Sequence, residues 1–433
     1  MYSFSITNFS KSVDSTPKEI QARISTVSTF EDNYVRLEAD SVKFDNSNVD
    51  SKILIYVYDN NGLYENIKVG EIIKFKPSTF YHTDLFYRDT PDARAYARNL
   101  KYSTSVSYNN IQFIGQKMTF AEIFKARIKS SLTFGLTNEN AEIAYSALFG
   151  DKEYLPNEQY NTFKLSGVAH LLAVSGLHVG ILVVVLKKIL QLLKIKKWWQ
   201  FGIIAFVLFG YIYICNFTIS IIRASIMSLV LLFSNLIHAD YDSFNSIAIA
   251  GIVIYLINPL CIFDVSFLLS FSCVLGIAML FKPIKRVLAF LKFSNVIIDN
   301  LAISISTTLS IIIIMAYYFN TLNVISIIAN IILIPLFTIA FSCVILVSFI
   351  SVLLQQVAYV LYPVNYIFDI IKLFSNIFAG LTFSNFNTIS FNYIAIVIYF
   401  ALLLILGRLC TAKNQYKVVT TLPIVALLFC VLV

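Results

Sequence analysis

The chain has 433 residues, of which 58% are hydrophobic and only 13% are charged, and its mean hydropathy is +0.74. Soluble proteins carry about a quarter charged residues on average, so this composition excludes an ordinary soluble globular protein. The charges are also divided unevenly: 20 of the 25 acidic residues precede Gly167, whereas 14 of the 33 basic residues follow it. The sequence therefore predicts a polar N-terminal domain followed by a polytopic membrane domain.

Residues 1–118 are predicted to form a small all-β, OB-like barrel. The first 20 residues lack the apolar core and cleavage site of a signal peptide. Beyond them, short runs of alternating apolar and polar residues are separated by turn residues such as Asn60, Asn61 and Gly62. Five strands in about 95 residues suit an OB-type barrel. The five runs lie near residues 22–27, 35–39, 52–58, 71–75 and 111–114.

Residues 119–166 are predicted to be an amphipathic helical bridge. Its apolar residues recur at three-to-four spacing, while its basic residues lie mostly off that stripe. Two interpretations stay open: the helix lies at the membrane surface, or it packs against the β-domain. The stripe consists of Phe120, Ile123, Phe124, Ile128 and Leu132.

Residues 167–433 are predicted to be an all-α membrane bundle of about nine or ten transmembrane helices. A hydrocarbon core of about 30 Å requires about 20 helical residues per span. The count depends on whether Pro335 interrupts the longest segment. The predicted segments lie near residues 168–189, 199–217, 219–237, 244–262, 264–281, 297–319, 323–355, 357–380, 390–407 and 418–433.

Lysine and arginine placement predicts the orientation of the bundle. Cytoplasmic loops collect these residues, and a basic stretch at residues 187–197, followed by Trp198 and Trp199, ends the first predicted span. The N-terminal domain is therefore expected outside the cytoplasm, and the basic loops at residues 282–292 and 408–417 then also fall on the cytoplasmic side. Exporting this domain requires a membrane segment upstream of the given chain; otherwise the orientation is reversed.

Several motifs occur in a fixed order along the membrane domain. The densest is FKLSGVAHLLAVSGLHVG at residues 163–180, and LFGD precedes it at residues 148–151. SIIRASIM at residues 220–227, NPLCIFDVSFLLSF at residues 258–271, and then Asn330 and Pro335 follow. In this order they resemble the ComEC-type competence proteins, the inner-membrane channels for transforming DNA. The resemblance covers about residues 20–433 and includes a front domain like the family's OB-type domain.

The resemblance implies a multi-pass protein of the cell inner membrane that takes up single-stranded DNA in natural transformation. It implies neither a cofactor nor catalysis by this chain. Many family members carry a C-terminal metallo-β-lactamase-like domain, proposed to be a nuclease, and membrane helices ahead of the OB-type domain. The sequence contains no HxHxDH-like metal cluster. The implied partners are single-stranded DNA, membrane lipid, a separate nuclease, a DNA receptor, a cytoplasmic motor or strand-binding protein, and further copies of the chain.

Polar residues inside the predicted spans are the candidates for a polar pore or interior, because such residues are costly in lipid and usually face protein or water. His170 and His178, eight residues apart on a predicted helix, would be about 12 Å apart along its axis, too far to share a metal ion. Arg223 is predicted to pair with Asp264, to contact phosphates of the strand, or to snorkel to the membrane surface. The full set is His170, Ser175, His178, Asn216, Arg223, Asn258, Asp264, Ser270 and Asn330.

Small residues of the densest motif are predicted to pack helices closely, and basic residues of the front domain to contact DNA. Small side chains let two membrane helices approach each other, and a basic groove with aromatic residues suits single strands. Ordinary solvated surface charge stays open as the alternative for each basic residue. The packing residues are Ala173, Gly176 and Gly180, and the DNA candidates are Lys74, Lys76, Arg88, Arg94, Arg98 and Lys101.

Three rival functions stay open on the sequence alone. The first is a polytopic transporter of a small solute or ion. The second is an intramembrane hydrolase, since Ser175 and His178 lie three residues apart and could supply a nucleophile and a base on one helix face. The third is a truncated relative without function.

Overall fold

The computed structural model describes residues 16–29, 34–58, 67–82, 100–151, 155–291, 293–319, 321–323, 325–351, 354–381 and 385–387. The chain divides into two compact units after Ile123. The N-terminal unit contains a β-sheet and the C-terminal unit is helical.

The N-terminal unit is an eight-stranded mixed sheet with the strand order β6-β7-β4-β2-β1-β5-β8, and β3 pairs with β2 beside this path. Strands β4 and β7 run parallel, while the other pairs are antiparallel. Within the described residues β6 and β8 are the two ends of the path, so the barrel is not closed. The strands are β1 (Ile20–Thr29), β2 (Tyr34–Phe44), β3 (Ser47–Asn48), β4 (Lys52–Tyr58), β5 (Glu71–Phe75), β6 (Thr79–His82), β7 (Leu100–Ser107) and β8 (Gln112–Gln116).

The small β-domain and all five predicted strands are confirmed, and three further strands were missed. Strand β7 alternates as a half-buried strand should, because Leu100, Tyr102, Thr104 and Val106 are buried, whereas Ser103 and Ser105 are not. A threonine at one core position weakens that pattern in the sequence. Tyr102 completes an aromatic cluster in the core, with its ring centroid 5.1 Å from that of Phe44.

A buried ion-pair cluster joins the sheet to the start of the first helix within this unit. Arg23 of β1 contacts Asp40 at 2.6 Å and Glu122 at 2.8 Å, and its side chain is only 11% exposed. Burial by itself lowers the pKa of Arg23, but hydrogen bonds and the negative charges of Asp40 and Glu122 outweigh that effect and raise it above its usual value. Arg23 is therefore held as a cation by two carboxylates.

Replacing Arg23 with methionine is expected to destabilise the N-terminal unit by about 3 kcal/mol, because two carboxylates lose their buried partner. Hydrogen exchange on the full chain in nanodiscs measures this as a loss of protection at the amides of β1 and β2. Arg36→Met is the control, since Arg36 makes a longer contact of 3.5 Å with Glu38 and is more exposed. Equal loss of protection in both variants would show that the cluster contributes no more to stability than the more exposed Arg36–Glu38 pair.

The C-terminal unit consists of helices connected by short turns. Short 3₁₀ turns at Ala169–Leu171, Pro259–Phe263, Ala289–Leu291 and Gln355–Leu361 lie between them. A small hairpin pairs β9 (Thr321–Asn323) with β10 (Asn385–Asn387). The helices are α1 (Phe120–Gly135), α2 (Asn138–Phe149), α3 (Asn157–Leu165), α4 (Gly176–Leu192), α5 (Lys197–Ile214), α6 (Ile219–Ile237), α7 (Ser243–Ile257), α8 (Val265–Leu288), α9 (Asn295–Phe319), α10 (Ser326–Ser351) and α11 (Val364–Ala379).

Five helices are long and apolar enough to cross a membrane: α5, α6, α8 with its following turn, α9 and α10. A sixth is added if the turn Gln355–Leu361 and α11, bent by 51°, form one span. The protein is thus a multi-pass membrane protein with an all-α bundle. The described residues supply fewer spans than the nine or ten predicted, and the predicted segments 390–407 and 418–433 lie outside them.

Three predicted segments differ from the helices found. Segment 168–189 is divided into a 3₁₀ turn and the 17-residue helix α4. Segment 244–262 is divided at Asn258, because a residue before proline is disfavoured in the helical region. Segment 323–355 is not interrupted at Pro335, because α10 continues through this proline.

The predicted bridge stripe is only partly buried. Ile128 and Leu132 lie in the hydrophobic core of the helical unit, whereas Phe120 and Ile123 are exposed. Lys125, predicted to lie off the stripe, is 8% exposed. The part of α1 within the helical unit therefore packs into the core of that unit. The two predicted arrangements of the bridge stay predictions.

Candidate functional site

A cavity of about 230 Å³ lies where the sequence motifs meet in space. The end of α2, the segment before α4, the α5–α6 turn and the first turn of α8 all contribute walls. These four segments lie far apart in the sequence, between residues 149 and 266, so only the tertiary fold assembles them. The lining residues are Phe149, Gly150, Asp151, Ala173, Val174, Cys215, Asn216, Thr218, Ser220 and Ser266.

The LFGD motif ends α2 and brings a carboxylate to the cavity wall. Gly150 adopts a left-handed conformation with φ 79° and caps α2, a position that favours glycine. Ser146 Oγ donates to the Asp151 backbone carbonyl at 2.8 Å, and Lys125 Nζ contacts Asp151 Oδ2 at 2.9 Å. The negative charge of Asp151 is therefore balanced by a largely buried lysine.

His178 holds the start of α4 in place. Its Nδ1 accepts from the Ser175 backbone N–H at 3.1 Å and lies 2.9 Å from Ser175 Oγ, while its Nε2 lies 3.2 Å from the Leu171 carbonyl. Because Nδ1 must accept, Nε2 carries the proton and donates to that carbonyl. The ring is fully buried, with Phe337 and Phe341 centroids at 5.3 and 4.6 Å.

The predicted common helix for His170 and His178 is wrong. His170 lies on the 3₁₀ turn Ala169–Leu171 and is exposed, whereas His178 lies in the first turn of α4. The capping contacts of Ser175 start a new helix there, so the chain cannot be one helix through this point. The two histidines therefore do not face one path from a shared helix.

The α5–α6 turn exposes backbone donors at the cavity. Asn216 and Phe217 both adopt left-handed φ angles, 53° and 54°, which non-glycine residues seldom do. Thr218 Oγ1 donates to the Cys215 carbonyl at 2.6 Å and therefore does not cap α6. Among the described residues the amides of Ile219 and Ser220 have no acceptor, which leaves the positive end of α6 open at the cavity wall.

Arg223 lies one turn further along α6 and is 4% exposed. Its Nη1 donates to the Ser270 carbonyl at 2.8 Å, and its guanidinium lies 5.9 Å from the centre of the Phe271 ring. A Cβ on Gly176 would lie 3.1 Å from Nη2, so the glycine leaves room for the guanidinium. In the part of the chain that the structure describes, Nε is buried without a partner and no carboxylate pairs with this side chain.

Comparison of the sequence with known proteins shows the family of this chain. The family model described as "Competence protein" matches residues 147–413, which is more than half of the chain. The chain belongs to the Competence protein family. A relative, "ComE operon protein 3" of Bacillus subtilis (strain 168), is 29% identical over 206 residues, which cover 47% of this chain and 25% of the relative. The aligned part is thus about a quarter of that relative's length. No solved structure matches the chain.

All ten lining residues of the cavity fall within residues 147–413, the part of the chain that the family model matches. Of the predicted polar interior set, Asn216 lines the cavity, and Ser175 and His178 lie at the adjoining start of α4. Arg223 and Ser270 meet one turn from it. The structure therefore brings together five of the nine predicted residues.

The predicted ion pair between Arg223 and Asp264 is wrong. Asp264 instead begins α8, where its Oδ1 accepts from the Ser266 amide at 2.7 Å. Asn258 has a similar capping position, accepting from the Leu260 amide at 3.1 Å. Both residues fix the geometry of the α7–α8 connection. The short side chain of Asp264 caps the start of its own helix more readily than it reaches Arg223 on α6.

The remaining interior and packing candidates lie at separate places. Asn330 of α10 donates to Ser304 Oγ of α9 at 3.4 Å. Ala173 lines the cavity, and Gly176 contacts Arg223 and Ala224. Gly180 has open space where its Cβ would lie, as far as the described residues reach, so the predicted close packing at Gly180 is not found there.

The predicted DNA contacts of the N-terminal domain stay a prediction. Lys74 lies on β5 and pairs with Glu19 at 2.8 Å, and Lys76 is exposed just after that strand. Arg88, Arg94, Arg98 and the side chain of Lys101 lie outside the described residues.

Residue patterns alone missed four polar residues of the site: Lys125, Asp151, Ser220 and Ser266. Asp151, Ser220 and Ser266 each lie in one of the ordered motifs, and the two serines stand in the first turn of a helix, so motif membership combined with helix starts could have indicated them. Lys125 carries no sequence signal, because its partner is 26 residues away. The described residues contain no cluster of three or more His, Cys, Asp or Glu residues that could hold a metal ion.

Proposed function

We propose that the chain forms the membrane conduit for single-stranded DNA in natural transformation. The observation that carries this proposal is the convergence of the family motifs on one polar cavity at the ends of candidate membrane helices. In polytopic proteins, irregular backbone is tolerated mainly where it lines a cavity or is buried in protein, and both the α5–α6 turn and the segment before α4 are of this kind. The description of the matching family model, "Competence protein", supports the same function.

The proposed orientation places the cavity at the extracytoplasmic side of the inner membrane. Helix α4 begins at the cavity and leads to Lys187, Lys188 and the basic residues after it, and α8 runs from the cavity to Lys285 and Arg286. Because basic residues collect on the cytoplasmic side, the cavity end of both helices faces outward. We also propose that the N-terminal unit lies outside the cytoplasm, where it would receive the strand first.

The proposal assigns no chemistry to this chain and requires other proteins. Its expected partners are a DNA receptor, a separate nuclease that removes one strand, and a cytoplasmic motor or strand-binding protein that draws the other strand inward. Further copies of the chain are also expected partners, since several subunits would enclose a wider path. Membrane lipid covers the exposed apolar faces of the spans, such as Phe206 and Phe209 of α5.

One geometric observation favours a second function, intramembrane hydrolysis. Ser175 Oγ lies 2.9 Å from His178 Nδ1, within reach for a nucleophile and its base. In the proposed conduit the same contact is instead a helix cap. Covalent labelling of the purified wild-type protein by a serine-directed fluorophosphonate, with no labelling of Ser175→Ala, would favour the hydrolase.

Deleting the gene in a competent strain tests the conduit. Deletion is expected to abolish transformation by marked DNA, and the wild-type gene to restore it. His178→Ala and Arg223→Ala, at matched membrane abundance, are expected to restore it poorly, because one loses the start of α4 and the other the buried cation. Lys282→Gln, an exposed residue at the opposite end of α8, is the control expected to act as wild type. Undiminished transformation in the deletion strain would overturn the proposal and favour a solute transporter.

A further inference from the structure

Arg223 is a buried cation that the described protein leaves without a counter-ion. It is 4% exposed, and among the described residues only one of its five N–H donors has an acceptor, the Ser270 carbonyl. Burying an unpaired charge costs several kcal/mol, so such a group usually faces an anion or a water-filled path. The stacking of Phe271 at 5.9 Å offsets only part of that cost. An anion bound here would therefore stabilise the buried cation.

The cavity lies next to this cation. Ser220 and Arg223 are three residues apart on α6, and Ser266 and Ser270 are four apart on α8, so each pair lies on one helix face about one turn apart. Ser220 and Ser266 line the cavity, while Arg223 contacts Ser270. Gly176, which contacts the guanidinium, follows shortly after the lining residues Ala173 and Val174. Arg223 thus lies about one helical turn from residues that line the cavity.

The cavity wall offers donors to an anion. The hydroxyl groups of Ser220 and Ser266, and the amides of Ile219 and Ser220, have no hydrogen-bond partner among the described residues. The positive end of α6 adds to their potential. The two carboxylates nearby are engaged: Asp151 pairs with Lys125, and Asp264 accepts from the Ser266 amide. Asp151 is therefore neutralised by Lys125, and Asp264 caps the start of α8.

We propose that Arg223, Ser220 and Ser266 form a phosphate-binding site that takes one phosphate of the DNA backbone at the outer end of the conduit. This inference rests on the proposed function and adds the chemical group that the cavity recognises. A guanidinium suits a phosphate because its planar donors match two oxygens at once. A volume of about 230 Å³ accommodates a phosphate with several waters, since one water occupies about 30 Å³ in the liquid. No base is read, so recognition is independent of sequence.

Binding of a labelled oligo(dT) to the full chain in nanodiscs tests this site. Arg223→Gln is expected to weaken binding about tenfold or more, because a hydrogen bond to a charged group is lost, and to reduce the salt dependence by about one ion. Arg223→Lys is expected to retain part of the affinity and the full salt dependence. An oligomer of the same sequence with an uncharged backbone is expected to bind wild type and Arg223→Gln equally. Lys282→Gln is the matched control and is expected to bind as wild type.

A second pair of variants covers the case in which Arg223→Gln fails to fold. Ser220→Asp places a negative charge on the cavity wall and is expected to weaken oligo(dT) binding at least as much, whereas Ser220→Asn is expected to bind nearly as wild type. Equal affinity and equal salt dependence in Ser220→Asp and wild type would overturn the site.

Inorganic phosphate, tested alone by thermal shift, separates the two sources of the anion. Stabilisation by phosphate that Ser220→Asp removes, together with no binding of oligo(dT), supports a phosphate site and contradicts the DNA conduit. Binding of oligo(dT) that neither Ser220→Asp nor Arg223→Gln weakens overturns the site and leaves the conduit intact.

Discussion

Gly276→Ala is expected to separate α8 from α9 and to prevent most of the protein from reaching the membrane in folded form. A Cβ at Gly276 would overlap Ser310 Oγ and would lie 2.5 Å from Ser310 Cβ and 2.9 Å from the Ser306 carbonyl oxygen. Because a Cβ and a helix backbone cannot rotate away, the two helices must move apart. Overpacking of a tight core costs about 3 kcal/mol. Membrane abundance and the melting temperature of the purified protein measure this loss.

Gly180→Ala and Gly210→Ala are the matched controls, because both glycines lie in helices and nothing described lies within 4 Å of the positions that their Cβ atoms would take. Both variants are expected to be as stable as wild type or slightly more stable, since alanine favours helix. If Gly276→Ala has the same melting temperature as these controls, α8 and α9 are not in close contact at Gly276.

Asn365→Leu is expected to disconnect α11 from the α1–α2 connection. Asn365 Nδ2 donates to the carbonyls of Gly135 and Tyr362, both at 3.1 Å, and its Oδ1 accepts from the Thr137 amide at 2.9 Å and from Asn140 Nδ2 at 3.0 Å. Leucine has a similar size but none of these bonds. Each buried group left without a partner costs about 1–3 kcal/mol, so the loss in stability is expected to be among the largest for any single polar residue.

The melting temperature of the full chain in detergent measures the effect. Asn376→Leu is the control, because Asn376 lies on the same helix and is exposed. A similar small shift in both variants would contradict the assignment of Asn365 as the link between these helices.

Long apolar runs predicted their helices well because burial in lipid depends mainly on length and composition. Helix α6 has the predicted bounds, 219 to 237, and α9 differs by two residues at its start. The predicted strands near residues 52–58 and 71–75 also match β4 and β5. In each of these elements local composition and tertiary packing favour the same structure.

The site was less predictable because its geometry depends on contacts between distant segments. The break before α4 depends on Ser175 bonding His178 in place of a continuing helix, although the apolar run continues through it. The partner of Arg223 is a backbone carbonyl, a group present at every residue, so sequence offers no way to choose Ser270 over Asp264. Motif membership indicated the right region, but only the fold shows which side chains share the cavity.

Photo-crosslinking in transforming cells tests the central claim, that the incoming strand passes this cavity. A diazirine amino acid at Thr218, on the cavity wall, is expected to form a covalent adduct with labelled transforming DNA. The same amino acid at Phe206, which is 81% exposed on α5, is expected to crosslink lipid and not DNA. Both strains are first shown to transform normally. Absence of a DNA adduct at Thr218, or equal adducts at Thr218 and Phe206, would contradict passage of the strand through this cavity.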